Sequence, residues 1–459
     1  MGSELLSRLA DIVGERHLLS EREDLYCYGY DGTAQHALPD AVVLPANTRQ
    51  VAEVLKLANA RHVPVVPRGA GTNLSGGTVP IQGGIVLALT RLDQLLEIDR
   101  ANLTATVQPG LVTAKLHEAV ERQGLFYPPD PASYSVSTLG GNVAEGAGGP
   151  HCFKYGTTKD YVLGLEVVLA SGDVLRTGGK TVKNVSGYDL THLFVGSEGT
   201  LGVVTEITVR LIPLPEERHT MLAVFDTLED AARLVSNIVA ARIVPVTLEL
   251  MDEVVLRVAE ASHPIGLPLD AEAALLIEVD GNREEARHQL ERVSQILDSS
   301  GARQVRVART PAEVDELWSA RRAVSASLSR LCAVKISEDA TVPRAAVPEM
   351  VRRIKALARE HRIEVAVFGH AGDGNLHPAA LLQDRTPQEM ERADRFFADI
   401  FRAALELGGT LTGEHGIGVF KARFLSLQHG AAGVAAMKAI KAALDPNGIL
   451  NPGKIFGQV

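Results

Sequence analysis

The stretch VFGHAGDGNLHP, Val367 to Pro378, sets His370 and His377 seven residues apart around a Gly-Asp-Gly turn that follows an apolar run. If that loop doubles back, both imidazoles can face one point, which is what shared ligation of a cation requires. The same residues also admit a plainer reading, in which Asp373 and Gly374 form a type I′-like turn with a surface histidine on either side. Downstream, TLTGEHGIG places Glu414 and His415 between glycines, with no helical or strand periodicity to account for them. They add a carboxylate and a third imidazole, or they are two solvated side chains in a glycine-punctuated loop. No glutamate follows His370, so the H-E-x-x-H pattern of metallopeptidases is absent. Upstream, LWSARRAVSASLSRLCAVKISEDATVP carries Arg321, Arg322 and Lys335 among apolar residues. A solvated helix face explains such cations as readily as a ligand does.

A second kind of chemistry is suggested by glycine. VVPRGAGTNLSGG, Val65 to Gly77, follows a strand pattern, and its small residues let backbone N–H groups converge on an anion. It is not a Walker loop, since no Gly-Lys-Ser/Thr follows. Nor is it a Rossmann fingerprint, because Leu74 stands where the third glycine belongs. TLGGNVAEGAGG, Thr138 to Gly149, and GSEGTLGVVTE, Gly196 to Glu206, share its character. One such loop is ordinarily a turn. Three beside strands suit a large ligand that needs close backbone approach along its length, a diphosphate included.

The elements that must position these residues can be read from periodicity. DAVVLP, NTRQVAEVLKLANARH and VPVVPRG read as strand, helix and strand, a βαβ unit. Short strands follow at GIVLAL and ATVQPG, a helix at TAKLHEAVERQG and a hairpin at LEVVLASGDVLRTGG. After Pro213 and Pro215 the pattern becomes strand-helix-strand modules, with Thr227 a helix N-cap. Two modules in succession suggest an antiparallel sheet covered by helices on one face. Helices dominate beyond about residue 388. The 459 residues exceed one ordinary core, so roughly two to four domains are expected.

Composition excludes several classes. Hydrophobic content of 46%, charged content of 22% and a mean hydropathy of +0.07 describe a globular chain. A net charge of -10 without a basic cluster argues against nucleic acid as a partner. Cys27, Cys152 and Cys332 are too scattered for a disulfide framework or an iron–sulfur cluster. A reducing compartment is expected. The N-terminus lacks a signal-peptide pattern and no apolar run of about eighteen residues occurs, so a cytoplasmic location is expected, with peripheral membrane attachment through a partner compatible.

Taken in order, P-R-G-A-G-T-N-L-S-G-G, D-P-A-S, G-G-N-x-A, G-S-E-G-T-L-G and L-N-P-G-K resemble the FAD-dependent oxidoreductases of the vanillyl-alcohol oxidase type. Within these, the chain is most similar to the D-2-hydroxy acid dehydrogenase branch, which includes D-lactate dehydrogenase and the FAD subunit of glycolate oxidase. The resemblance runs from about residue 20 to about residue 456. It implies an α+β fold: a two-subdomain PCMH-type FAD-binding domain, a ferredoxin-like antiparallel cap and a C-terminal helical segment. The expected divisions are an N-terminal segment 1–37, the FAD domain 38–215, a substrate cap with the metal site 216–387, and a segment 388–459 returning to the FAD domain.

The resemblance further implies FAD with its diphosphate on Pro67, Arg68, Gly69, Ala70, Gly71, Thr72, Asn73, Ser75, Gly76 and Gly77. The rest of the cofactor is expected along Asp130, Pro131, Ser133, Thr138, Gly140, Gly141, Asn142, Ala144 and Gly148, and along Glu198, Gly199, Gly202, Val203 and Val204. Asn451 is expected to approach the flavin from the C-terminal segment. Some relatives attach flavin through a loop histidine. PRGAGTNLSGG has none, so a noncovalent cofactor is expected.

In the resembled family, H-x-G-D-G-N-x-H and G-E-H-G supply a divalent metal site, carried over here as His370, His377 and Glu414, with His415 as the base. Two imidazoles and a carboxylate suit Zn²⁺, with Fe²⁺ and Mn²⁺ compatible by ligand type. Arg321 and Lys335 fall where the family binds the substrate carboxylate, and Asn375 holds the loop or touches substrate. The implied reaction is FAD-dependent oxidation of a D-2-hydroxy acid to its 2-oxo acid. Two alternatives are a flavin-bearing electron-transfer subunit without turnover and an oxidase that uses O₂. Electrons are expected to leave through an electron-transfer flavoprotein, a quinone, an iron–sulfur subunit or oxygen. Homo- or hetero-oligomers are both compatible.

Overall fold

The computed structural model describes residues 2–33 and 35–457. The chain divides into two compact units: unit 1 comprises Met1–Gly148, Gly156–Leu214 and Glu414–Val459, and unit 2 comprises Gly149–Tyr155 and Pro215–Gly413.

Unit 1 opens with helix α1 (Ser3–Val13) and carries two larger sheets beside a two-stranded pairing of Leu125–Phe126 with Ile212–Pro213. The first contains β1 (Leu18–Leu19), β2 (Ala41–Val43), β3 (Val65–Arg68) and β4 (Ile85–Ala88) in the order β1-β2-β4-β3, with β2, β4 and β3 parallel. Helix α2 (Thr48–Ala60) crosses over from β2 to β3, and Asn47 caps it by accepting the Gln50 N–H. Val51, Val54, Leu55 and Ala58 recur at helical spacing and all are buried, which fixes the face α2 turns inward. The second sheet is antiparallel: β5 (Leu95–Asp99), β6 (Thr104–Val107), β7 (Val162–Val168), β8 (Val174–Gly178) and β9 (Val203–Arg210), ordered β5-β6-β9-β7-β8. The short helix α3 (Leu139–Glu145) is capped by Thr138.

Unit 2 is built on one eight-stranded antiparallel sheet. Its strands are β10 (Glu217–Phe225), β11 (Thr247–Asp252), β12 (Ala273–Gly281), β13 (Gln304–Val307), β14 (Val334–Ser337), β15 (Ala340–Thr341), β16 (Glu364–His370) and β17 (Asn375–Leu382). The order is β13-β10-β12-β11-β16-β17-β14, with β15 also paired to β17. Its helices are α4 (Leu228–Ala240), α5 (Glu253–Ser262), α6 (Arg283–Asp298), α7 (Pro311–Leu328), α8 (Val347–His361) and α9 (Pro387–Glu406).

Helices cover both faces of this sheet, not one as expected. Leu222, Val224, Leu276, Ala366 and Phe368 share a core with Val255 and Leu256 of α5 and Trp318 and Val324 of α7. The alternate residues Met221, Ala223, Leu275 and Ile277 are equally buried on the other face, against α4 and α6. The physical reason is visible in β12, AALLIEVDG, an apolar run that does not alternate and therefore needs cover on two sides. Helix α9 packs within unit 2, so the passage into unit 1 lies at Gly413 rather than at 387/388. Unit 1 then ends with helix α10 (Leu425–Leu444), kinked at Gly430, and a turn-rich tail. Among the described residues no helix is long and apolar enough to cross a membrane, and no disulfide joins the three cysteines.

Candidate active site

In unit 2 the site follows from strand register. Side chains alternate between sheet faces, so pairing decides which ones share a side. Glu249 pairs with His370, His370 with Asn375, Phe368 with His377 and Lys335 with Leu381. Phe368 and Leu381 belong to the core under α7. Glu249, His370, His377, Asn375 and Lys335 therefore all emerge on the α7 face.

Between β16 and β17, the Asp373 and Gly374 N–H groups both donate to the His370 carbonyl, and Asp373 Oδ1 accepts the Asn375 N–H. Gly374 adopts φ +88, and a Cβ there would strike the Val342 carbonyl, so this turn requires glycine. The hairpin puts the His370 and His377 rings 5.1 Å apart at 88°, with both side chains buried.

Glu249 is fully buried among them. It accepts from His370 Nδ1 and is ion-paired to Arg321 of α7. Burial by itself would raise its pKa, but the charges of His370 and Arg321 outweigh burial and hold the carboxyl at about 2. The Arg321 guanidinium lies over the Phe368 ring at 5.0 Å, and its Nε is a buried donor with no partner. Lys335 Nζ donates to the carbonyl and hydroxyl of Ser325 at 2.9 and 2.6 Å, and burial pushes its pKa down. Asn375 accepts from Thr341 Oγ1 at 3.1 Å. Trp318 is buried and donates to Glu278 at 2.9 Å.

The loop leading to Glu414 is held from unit 2. Asp339, with no exposed surface, accepts the Gly413 N–H at 2.6 Å and the Thr412 hydroxyl at 2.8 Å. Glu414 is bonded to that fixed glycine, so covalent geometry sets its Cα about 3.8 Å further on. His370 and His377 present two buried imidazoles on this face of unit 2, and Glu414 directly follows Gly413 in the chain. Two imidazoles and a carboxylate are a donor set that fits a divalent cation.

In unit 1 the three glycine loops are bound to one another. Gly196 and Glu198 donate their N–H groups to the Val143 and Ala144 carbonyls. Asn451, itself at φ +42, donates through Nδ2 to the Gly77 carbonyl at 2.8 Å and the Glu198 carbonyl at 2.7 Å. Arg68 donates to the Tyr30 carbonyl and Thr78 hydroxyl, while Asn73 bridges Asp31 and Thr78. Thr138 caps α3 through the Gly141 N–H, and Asn142 donates to Thr113. Gly140 is pressed against Pro109, Gly199 against Pro67, and Gly202 against Val167 just before Val203 and Val204 begin β9. Asp130, Pro131 and Ser133 lie on a turn of their own, where the Ser133 carbonyl accepts the Ser137 N–H.

The Glu198 carboxylate accepts from Ile417 and Gly418, both at 2.7 Å, and so anchors the loop that carries His415. Burial lifts its pKa to about 7 against the pull of those N–H groups and of Lys454 and Lys421. Glu145 is raised too, by burial and by Glu198 and Asp31 nearby. Lys454 donates to the Val79 carbonyl, and burial lowers it to about 8.

These residues fit FAD on two counts. Gly71, Gly76 and Gly199 sit at φ +73, +75 and +67, and a Cβ on Gly77 would fill the space between Ser75 and Glu145. Asn451 Oδ1 is a buried acceptor with no partner, as expected where a ligand brings a donor.

Sequence reasoning missed Glu249, Asp339, Glu145 and Lys454. Glu249 left a signal, an acid flanked by two leucines in the otherwise largely apolar strand TLELMD. Asp339, in the polar run SEDAT, left none.

Comparison with known proteins agrees with this division of labour. Residues 39–178 match the FAD binding domain family and residues 214–455 the C-terminal domain of FAD linked oxidases. The chain is 49% identical to the glycolate oxidase subunit GlcD of Bacillus subtilis, over 99% of this chain and 97% of that one. It is 38% identical to the D-lactate dehydrogenase of Archaeoglobus fulgidus, over 93% and 95% respectively. Among solved structures, p-cresol methylhydroxylase with substrate bound superposes with a TM-score of 0.80 at 18% identity, covering 99% of this chain and 96% of that one, a likeness of fold. The chain belongs to the FAD-linked oxidase family and is an FAD-binding oxidoreductase.

Proposed function

We infer that this protein oxidises a small D-2-hydroxy acid, of the size of D-lactate or glycolate, to the 2-oxo acid. The observation that carries the reading is the buried group on one face of the unit 2 sheet: two imidazoles beside a guanidinium whose Nε is unpartnered. A carboxylate bearing a neighbouring hydroxyl is the complement of such a group, since guanidinium binds carboxylate and imidazoles hold a cation for the hydroxyl. The names of the glycolate oxidase and D-lactate dehydrogenase relatives support the same substrate class.

In this reading Arg321 and Lys335 bind the substrate carboxylate, and Asn375 lines the same face. His370, His377 and Glu414 hold a divalent cation, Zn²⁺ by donor type. Bound cation supplies Lewis acidity that lowers the hydroxyl pKa. His415 accepts the hydroxyl proton, a role for which a positioned base contributes about 10²- to 10⁴-fold. The glycine loops and Asn451 hold FAD noncovalently, and bound FAD supplies the two-electron acceptor for the Cα hydride. Two electrons and two protons leave the substrate. A partner subunit or carrier in the cytoplasm then takes the electrons, in keeping with relatives named as a subunit.

The test is anaerobic mixing of the flavin-loaded protein with D- and L-lactate, glycolate and D-2-hydroxyglutarate. Bleaching of flavin absorbance by a D-acid or glycolate, lost after verified metal removal while the flavin stays bound, is the expected result. No bleaching by any of these acids would refute the reading, and full bleaching without metal would refute the cation's part in it.

A further inference from the structure

Glu249 contacts two groups that serve different chemistries. An ionised carboxylate only accepts hydrogen bonds, so its contact with His370 Nδ1 places the imidazole proton there. A cation that binds the ring displaces the proton on the other nitrogen, Nε2, and takes its lone pair, while Nδ1–H stays on Glu249. Its other oxygen faces an NH₂ group of Arg321. That contact and the Phe368 ring beneath hold the guanidinium plane, while Nε is a buried donor with no partner. Strand pairing fixes all of this in place, because Glu249 stands directly opposite His370 across β11 and β16. A carboxylate that merely neutralised Arg321 would need only one of these contacts.

We propose that Glu249 is a positioning residue that sets the His370 tautomer and the Arg321 orientation together, making cation affinity and carboxylate affinity depend on one buried side chain. The proposal rests on reading His370 as a cation ligand and Arg321 as the carboxylate-binding cation.

The test compares flavin-loaded wild type, His370→Ala, Glu249→Gln and Glu249→Ala. Zn²⁺ affinity is measured by competition with a chromophoric chelator, and oxalate affinity by calorimetry on metal-stripped protein, where the guanidinium acts without the cation. Removing a carboxylate behind a metal-bound histidine weakens metal binding by about 10- to 100-fold, and that loss is expected for Glu249→Ala together with weaker oxalate binding. His370 and Arg321 meet different oxygens of Glu249, and in glutamine one of these becomes an NH₂ that only donates, so one contact is lost. At least one of the two affinities should then fall by about tenfold in Glu249→Gln. The glutamine variant keeps the shape and removes only the charge and one acceptor oxygen, so it decides the matter if Glu249→Ala fails to fold or to hold flavin. Both affinities within about threefold of wild type in a folded, flavin-loaded Glu249→Gln would overturn the proposal. If His370→Ala binds Zn²⁺ as wild type does, the cation reading itself fails, a result separable from any behaviour of Glu249.

Discussion

Asn451 offers the most direct check on how the glycine-rich loops are held. Replacing it with alanine removes the bonds to the Gly77 and Glu198 carbonyls, at 2.8 and 2.7 Å, in a position only 2% exposed. Each lost bond costs about 1 kcal/mol net, and leaving a buried carbonyl unsatisfied adds to that. Asn451 also stands at φ +42, which asparagine tolerates better than alanine. The sum is about 2–4 kcal/mol for unit 1. At about 2–4 °C per kcal/mol for a body of roughly this size, flavin release on heating should come roughly 5–15 °C earlier. Flavin fluorescence during a thermal ramp reads this directly. Asn451→Gly should recover the backbone part of the loss but not the hydrogen-bond part. A release temperature within about 1 °C of wild type, with unchanged flavin affinity, would show that Asn451 does not tie the loops together.

Two further outcomes follow from buried charge. Glu198 has its pKa raised to about 7 from an ordinary 4.5. Between those values the folded protein keeps a proton that the unfolded chain has released, so this group's contribution to stability falls as pH rises through the window, by at most about 1.4 kcal/mol per unit. Glu198→Gln should flatten that slope in pH-dependent denaturation, and an unchanged slope would refute the assignment. Asp280, fully buried in unit 2, accepts from Lys154 at 2.6 Å and Tyr155 at 2.8 Å, with Arg218 alongside at 3.7 Å. Asp280→Ala strands these donors and should cost about 3–5 kcal/mol, whereas Lys154→Ala should cost less because Tyr155 and Arg218 still cover the carboxylate. Urea denaturation gives the ordering, and the reverse order would refute it.

Much of the frame is legible in the chain by itself. Periodicity marks α2 and its flanking strands, and the Ser-Gly-Asp turn marks the β7–β8 hairpin. Glycines at positive φ, among them Gly71, Gly76 and Gly199, punctuate the glycine-rich loops. The motif order identifies the family without any coordinates. Local signals suffice here because a turn or a helical face is decided by residues a few positions apart.

Tertiary structure decided the rest. Glu249 meets His370 across 121 residues of chain, and Arg321 reaches the same carboxylate from a helix rather than a strand. Nothing in TLELMD names that partner, because pairing between strands remote in sequence is settled by the register of the whole sheet. The two-sided cover of β12 was written in its consecutive apolar residues AALLI, yet which helices supply each side depends on topology. His370 and His377 could be placed near one another from a glycine turn. That they share a face with a carboxylate and a guanidinium is a property of eight strands assembled in one order, and no local stretch carries it.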